Sequence, residues 1–548
     1  MLLLEARKLE KSYGDRLILK AEKLEVLDKD RIGIVGQNGT GKSTLLRILA
    51  GELQSDNLGK VMSYADLAFI RQVELDSGKM TTTRGRKNWG VSRVHDGMSG
   101  GEQVRLKIAS ALEQKALLLF ADEPTSHLDL PGIRQLEEAL RTYSGAVLLI
   151  SHDRELLDAV CTQIWEVENG TVKQYKGNYS AYREQKEQAQ EREWFEYEAY
   201  EKEKERLKQA VIEKKQQAKG IRDAPKRMSS SEAKLHKMQA QGKREKVEQS
   251  AKAVESRLAK LEKKEKPHEL ARVRFDLHHQ TEYRGKTVIQ CLGISARVDS
   301  RTLFSDLSFT IRPGQKVALI GANGTGKSTL LSMIHQNVDS VTIPPSIRLG
   351  YFSQSLSILE EEKTILENVK KHSMYPESTI RTALARLLFP KEAVHKAVCA
   401  LSGGERVKIA LAKIFFGDYH ALLLDEPTNY LDIPTQEELE IMLADFPGTI
   451  LFATHDRKLI QGLANAVLCL DDPQPVLFTG TFQEYVDSKN RATNRDHHKE
   501  QILLLENKLT GLVSRLSSPL LPVQEKEILE EQYQETLQEL KQWRGRKK

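Results

Sequence analysis

The chain has 548 residues, 39% hydrophobic and 29% charged, which is several times the ~100 to 200 residues of one domain, so more than one compact unit is expected. Its longest apolar runs, such as Ala116 to Ala121 and Ala146 to Ile150, fall far short of the roughly 20 residues a bilayer span needs. No membrane segment is expected, and Met1 to Arg7 lacks the basic start of an export signal. The net charge of +6 is uneven: residues 201–266 carry 21 Lys plus Arg against 11 Asp plus Glu, and the remainder 62 against 66. A basic excess gathered in one interior segment fits a nucleic-acid partner, and a solvated charged helix fits it as well. Cys161, Cys291, Cys399 and Cys469 have no CxxC spacing, which argues against a disulfide framework or zinc site and predicts a reducing, cytoplasmic setting.

In chain order, an apolar strand from Arg31 runs into Gly36-Gln-Asn38-Gly39-Thr-Gly41-Lys42-Ser43-Thr44, with a helical Leu-Leu run behind it. Glycines let backbone N–H groups wrap phosphates, the lysine reaches the β and γ phosphates, and the hydroxyl holds magnesium. Ser99-Gly100-Gly101-Glu102 follows, then an apolar strand ending in Asp122-Glu123-Pro124-Thr125, then His152. Such a strand places one carboxylate near the phosphate loop for Mg²⁺ and the next where it polarises an attacking water.

The whole set recurs in a second copy that begins near residue 286. It contains Gly321, Asn323, Gly324, Gly326, Lys327, Ser328 and Thr329, then Ser402-Gly403-Gly404-Glu405, Asp425-Glu426-Pro427-Thr428 and His455. Serine to aspartate is 23 positions and aspartate to histidine 30 in both copies. Repetition at one register makes a chance origin of glycine-rich turns untenable.

Between the copies the composition turns to Lys, Glu, Gln and Arg. Tyr197, Tyr200, Leu207, Val211, Ala218 and Ile221, then Val247, Ala251, Val254, Leu258 and Leu261, mark 3-4 seams that predict two antiparallel helices in a coiled coil. Asp223-Ala-Pro225 and Ser229 to Glu232 place the tip within 219–243. Each helix of ~30 residues would run ~45 Å. Near the C-terminus, Ile502, Leu505, Leu509, Leu512 and Leu516 share a helical face, Pro519 and Pro522 break it, and Ile528, Leu529, Tyr533, Leu537 and Leu540 resume on another, which predicts a helical hairpin.

These motifs resemble those of the ATP-binding cassette family: its phosphate loop, signature, Asp-Glu strand and switch histidine, present in both halves. The resemblance implies two α/β P-loop cassettes stacked head to tail, each ATP lying between the phosphate loop of one half and the Ser-Gly-Gly-Glu of the other. Gln72 and Gln354 look like the family's Q-loop glutamines, and Tyr13 like its adenine-stacking aromatic. The second copy offers Val298 at that register, so adenine stacking there must come from another side chain or be weaker.

Two cassettes joined by a long basic helical hairpin look like the ABC-F branch, which acts on ribosomes. Ser126, Tyr430 and Met98 stand where that branch usually has Asn, His and Leu. Only 27 positions separate Gln72 from Ser99, against 48 from Gln354 to Ser402, so the first helical subdomain is cut down. With the arm and the C-terminal addition, this resembles the antibiotic-resistance type of ABC-F protein. The expected domains are a first cassette over 1–186, an arm over 187–266, a second cassette over 267–493 and a helical extension over 494–548.

What the resemblance implies is an ATP hydrolase using ATP and Mg²⁺. Lys42 and Lys327 neutralise phosphate charge, Ser43, Asp122, Ser328 and Asp425 hold the metal, Glu123 and Glu426 orient water, and His152 and His455 assist. The partner would be the bacterial 70S ribosome, bound by a monomer through its E-site region, with 23S rRNA and P-site tRNA near the arm. Arg222, Lys226, Arg227 and Lys234 at the tip would meet phosphates, and Met228, Leu235, His236 or Met238 would wedge or stack. The drugs countered would be lincosamides, streptogramin A compounds and pleuromutilins. A housekeeping translation factor of the same family, a soluble transporter subunit and a DNA-repair ATPase are the alternatives.

Overall fold

The computed structural model describes residues 1–57, 59–71, 82–91, 98, 100–221, 230–264, 266, 283, 285–298, 301–353, 355–356, 358–371, 373, 375–387, 389, 392–472, 475–489, 491, 505, 508–509, 512 and 523–545. They pack as two units, one of Met1–Phe69, Lys115–Asp122 and Leu140–Val273, the other of Ile70–Gln114, Glu123–Ala139 and Arg274–Lys548.

The first unit is organised by a nine-stranded sheet. Its strands are β1 (Leu2–Tyr13), β2 (Arg16–Leu27), β3 (Arg31–Val35), β4 (Lys60–Ser63), β5 (Leu67–Ile70), β6 (Leu118–Asp122), β7 (Ala146–Ile150), β8 (Gln163–Glu168) and β9 (Thr171–Lys176), in the order β4-β1-β2-β9-β8-β3-β7-β6-β5. β3 pairs in parallel with β7 and β8, and β6 with β7. β3, β6 and β7 are buried throughout. Strands covered on both faces read as continuous apolar runs, which is why Leu118 to Ala121 and Ala146 to Ile150 show no alternation. Helix Lys42–Leu49 leaves the end of β3 and buries Leu45, Leu46, Ile48 and Leu49. Those leucines share one core with Leu118, Phe120, Leu148 and Trp165.

Two long helices, Tyr179–Gly220 and Ser230–Lys260, belong to the same unit. They run antiparallel: Lys215 pairs with Glu255 at 2.6 Å and Lys264, just beyond the second helix, with Glu196 at 2.8 Å, so partners recede along one helix as they advance along the other. Leu207, Val211, Ala218 and Ala251 are buried along the seam.

The second unit holds β10 (Ile289–Val298), β11 (Arg301–Ile311), β12 (Lys316–Ile320), β13 (Val341–Thr342), β14 (Leu349–Phe352), β15 (Ala421–Asp425), β16 (Thr449–Ala453), β17 (Ala466–Cys469) and β18 (Leu477–Thr479). They form one sheet ordered β11-β10-β13 and another ordered β14-β15-β16-β12-β17-β18. Between β14 and helix Gly403–Phe415 lie helices Ile365–Lys370 and Glu377–Arg386, and Ile365, Val369, Ile380 and Leu384 join a large core with Phe415 and Phe416. The corresponding stretch of the first copy holds, among described residues, only the short helix Thr83–Asn88. The unit also contains helices Gly100–Glu113 and Val523–Gly545. Among the described residues no helix is long and apolar enough to cross a membrane.

Candidate nucleotide-binding sites

Both phosphate loops follow the carboxyl end of a buried parallel strand and open a helix, so their amides and the positive end of the helix face one point. The backbone path is the same in the two copies. Gly41 (φ 101°) and Gly326 (φ 99°) are left-handed helix caps. A Cβ at Gly41 would lie 2.7 Å from Ile18 Cγ2, and one at Gly326 2.9 Å from Phe304 Cε1, so both conformation and space demand glycine.

Lys42 Nζ donates to the carbonyls of Gly36 at 2.8 Å and Gln37 at 3.0 Å; Lys327 Nζ donates to Gly321 at 2.8 Å and Ala322 at 3.1 Å. Each ammonium is thus held over its own loop. Ser328 Oγ donates to Asp425 Oδ1 at 3.1 Å, and Ser43 hydrogen-bonds Asp122. Burial pushes the pKa of both aspartates up, partly offset by those hydroxyls and by Lys327 or Lys42. Asp122 Oδ1 has no hydrogen-bond partner among the described residues.

Next along each chain, Glu123 (φ 50°) and Glu426 (φ 51°) sit in the left-handed region, as do His127 (φ 64°) and Tyr430 (φ 65°) four positions later. Non-glycine residues there hold strain that the surrounding structure must impose. Burial drives the Glu426 carboxyl up to about 8, against the pull of Lys327. Its Oε2 accepts the His455 backbone N–H at 3.3 Å, and His455 Nε2 lies 3.4 Å from Oε1. Burial, followed by Lys327, lowers the His455 pKa to about 3, so the ring is neutral. A neutral imidazole and a largely desolvated carboxyl side by side suit proton sharing with a bound water.

The second loop is capped within its own unit. Asp129 is buried, accepts from Arg105 Nη2 at 2.6 Å and from Gly132 N at 3.1 Å, and takes the Asn323 backbone N–H on its other oxygen at 3.2 Å. Asn323 Nδ2 donates to the His127 carbonyl at 2.6 Å, and a Cβ on Gly101 would lie 2.9 Å from that Nδ2. Gly101 therefore lies against Asn323. Lys408 and Asp432, at the registers of Arg105 and Asp129, are 3.9 Å apart. Asp129, Arg105 and His127 escaped the sequence reading. Their signal was the aspartate that ends both Asp-Glu-Pro-Thr runs, Asp129 and Asp432.

Ser402 caps helix Gly403–Phe415 and exchanges hydrogen bonds with Glu405, a capping box. Gly100 opens the first copy's helix. Tyr13 is exposed at the end of the β1–β2 hairpin opposite Arg16, with Lys11 Nζ 5.7 Å from its ring centre. Val298 stands opposite Arg301 at the matching place in β10–β11. Gln72, Gln354, Ser99, Arg222, Lys226, Arg227 and Met228 lie outside the described residues. Lys234, Leu235 and His236 fall in helix Ser230–Lys260, and Met238 on that helix is exposed.

A family model described as ABC transporter matches residues 19–84 and 304–429. The ribosome protection protein VmlR of Bacillus subtilis (strain 168) is 31% identical over 92% of this chain and 91% of its own length. The energy-dependent translational throttle protein EttA of Escherichia coli (strain K12) is 30% identical over 88% and 94%. A solved structure described as RNase-L Inhibitor matches with TM-score 0.59 at 19% identity, covering 89% of this chain and 93% of that one. That last likeness concerns fold alone.

Proposed function

Because this chain belongs to the ABC-F family of ATPases and is an ATP hydrolase, we propose that it works on the bacterial 70S ribosome as a monomer in the cytoplasm, protecting the peptidyl-transferase centre from antibiotics. The observation that carries this reading is the likeness to VmlR over nearly the whole of both chains. The helices Tyr179–Gly220 and Ser230–Lys260 form the arm. It would enter through the E-site region toward 23S rRNA and P-site tRNA, drawn by the phosphates with a salt-dependent energy. Lincosamides, streptogramin A compounds and pleuromutilins are the drugs to test.

In each cassette Lys42 or Lys327 would exchange its carbonyl partners for ATP phosphate oxygens. Magnesium suits Ser43 with Asp122 and Ser328 with Asp425. The carboxylates are buried, Asp122 Oδ1 has no partner among the described residues, and each has a hydroxyl beside it. Magnesium takes few protein ligands at such sites and leaves the rest to phosphates and water. Bound there, it would neutralise charge between the phosphates. Glu426 would orient the attacking water with His455 next to it, and Glu123 with His152 would serve the first site. Gln72 and Gln354 would line the sites. Ser402 to Glu405 would complete the first, and Ser99 to Glu102 the second.

Co-sedimentation of the Glu123→Gln, Glu426→Gln variant with 70S ribosomes tests the partner. ATP-dependent pelleting is expected, and absence of pelleting with intact ATP binding overturns the reading. The likeness to EttA favours a second reading, a translation factor. Expression in a susceptible strain separates the two: raised resistance to the drugs named supports protection, and altered translation without it supports the factor.

A further inference from the structure

The first phosphate loop and the arm meet on one strand. Gly36 packs so tightly on β8 that a Cβ there would lie 2.4 Å from the Val167 carbonyl oxygen. Displacement of the loop is therefore felt at Val167. The residues on either side of it, Glu166 and Glu168, are both ion-paired to Lys186 on helix Tyr179–Gly220. Glu166 is buried and also accepts from Tyr182 Oη at 2.6 Å and Tyr175 Oη at 3.1 Å. A buried carboxylate held by one ammonium and two hydroxyls is costly to disturb, because losing Lys186 leaves its charge uncompensated and losing a hydroxyl leaves an oxygen unsatisfied.

The internal repeat supplies a control. Glu166, Glu168, Tyr182 and Lys186 correspond, at a constant offset of 303 positions, to Cys469, Asp471, Tyr485 and Lys489. In the second copy the strand position is a cysteine that hydrogen-bonds Tyr485, and Lys489 and Tyr485 also reach Asp472 in the following loop, at 2.8 and 3.4 Å. Asp471 turns to the phosphate loop and accepts the Ala322 N–H at 2.9 Å. In the copy that continues into the 42-residue helix, the lysine and two tyrosines converge on one buried strand carboxylate, whereas the matching strand position of the other copy carries a thiol.

We propose that Glu166, Glu168, Tyr182 and Lys186 form a joint through which the first nucleotide site sets the direction of the arm, Lys186 acting as a positioning residue. The inference rests on the reading of the arm as a nucleotide-driven element.

The test measures the arm directly, without ribosomes. Spin labels at Met238→Cys and Leu27→Cys, both exposed, are introduced into full-length Glu123→Gln, Glu426→Gln protein carrying Cys399→Ser; the other three cysteines are buried. Pulsed electron–electron distances are recorded with and without MgATP. The distance distribution of this parent is expected to shift with ATP. Lys186→Met should remove the shift while ATP affinity stays within about twofold, and Lys489→Met should leave the shift intact. Tyr182→Phe replaces Lys186→Met if the latter fails to fold, with the same expectation. A parent that does not shift, a shift that survives Lys186→Met or Tyr182→Phe, or equal loss in Lys489→Met overturns the joint. Ribosome pelleting is scored separately, so a failed joint and a failed ribosome reading give different results.

Discussion

Asp129 holds the backbone N–H of Asn323 at 3.2 Å, so an aspartate from the first copy's Asp-Glu strand segment touches the second copy's phosphate loop. The same carboxylate is fixed by Arg105 at 2.6 Å. Replacing Asp129 with Ala strands Arg105 and frees Asn323. Breaking a largely buried pair costs about 3 kcal/mol when one charge is left alone. Asp129→Ala should lower the thermal midpoint, seen by differential scanning fluorimetry, and weaken ATP binding, whereas Asp129→Asn should retain most of both.

In the proposed function Lys327 would bind phosphates, and Glu426 lies one residue past Asp425, the aspartate proposed to hold magnesium. Lys327→Met should weaken binding of a fluorescent ATP analogue by roughly one to two decades, the value of a charge-assisted contact in a site that excludes water. Glu426→Gln should bind ATP normally and lose about 10²-fold or more in turnover, as expected for a residue that handles the proton. Equal loss of binding in both variants would contradict this division of labour.

Gly41→Ala and Gly326→Ala each force a Cβ into an occupied space at a left-handed backbone. Strain of about 1–3 kcal/mol per site must be relieved by moving the loop. Nucleotide titration of either variant should show one binding event lost or strongly weakened, and the other retained.

Tyr13 projects from its hairpin where the second copy has Val298. If Tyr13 stacks on adenine, Tyr13→Ala should weaken ATP by about three- to tenfold at one site only, in keeping with ~0.5–1.5 kcal/mol for an aromatic pair. Val298→Tyr should tighten the other. Isothermal titration with ATP and with GTP reads both changes.

The phosphate loops, the Asp-Glu strands and the alternation of cassette and helices were legible because each depends on local order: a glycine at a fixed place, an apolar run before a carboxylate, a seam every three or four residues. Nothing local predicts that Asp129 reaches Asn323, 194 positions away. Glu166 is similarly hidden, since on paper it is one acid between Trp165 and Val167. Its burial beneath Tyr182 and Lys186 arises from where β8 and the helix Tyr179–Gly220 meet in space. The shorter interval of the first copy, 27 positions from Gln72 to Ser99 against 48 from Gln354 to Ser402, is by contrast a plain count of residues.

The left-handed backbone at Glu123 and Glu426 limits what genetic drift can do at these positions. A β-branched residue is poorly tolerated there whatever its chemistry, while Asn, Asp and Gly fit the backbone readily. A descendant that loses hydrolysis at one site is therefore expected to keep a small polar residue or glycine in place of the glutamate, and so to keep the bend. A gene copy whose catalysis has lapsed would still fold around an unaltered turn, which leaves such copies free to survive as nucleotide-binding proteins that no longer cut.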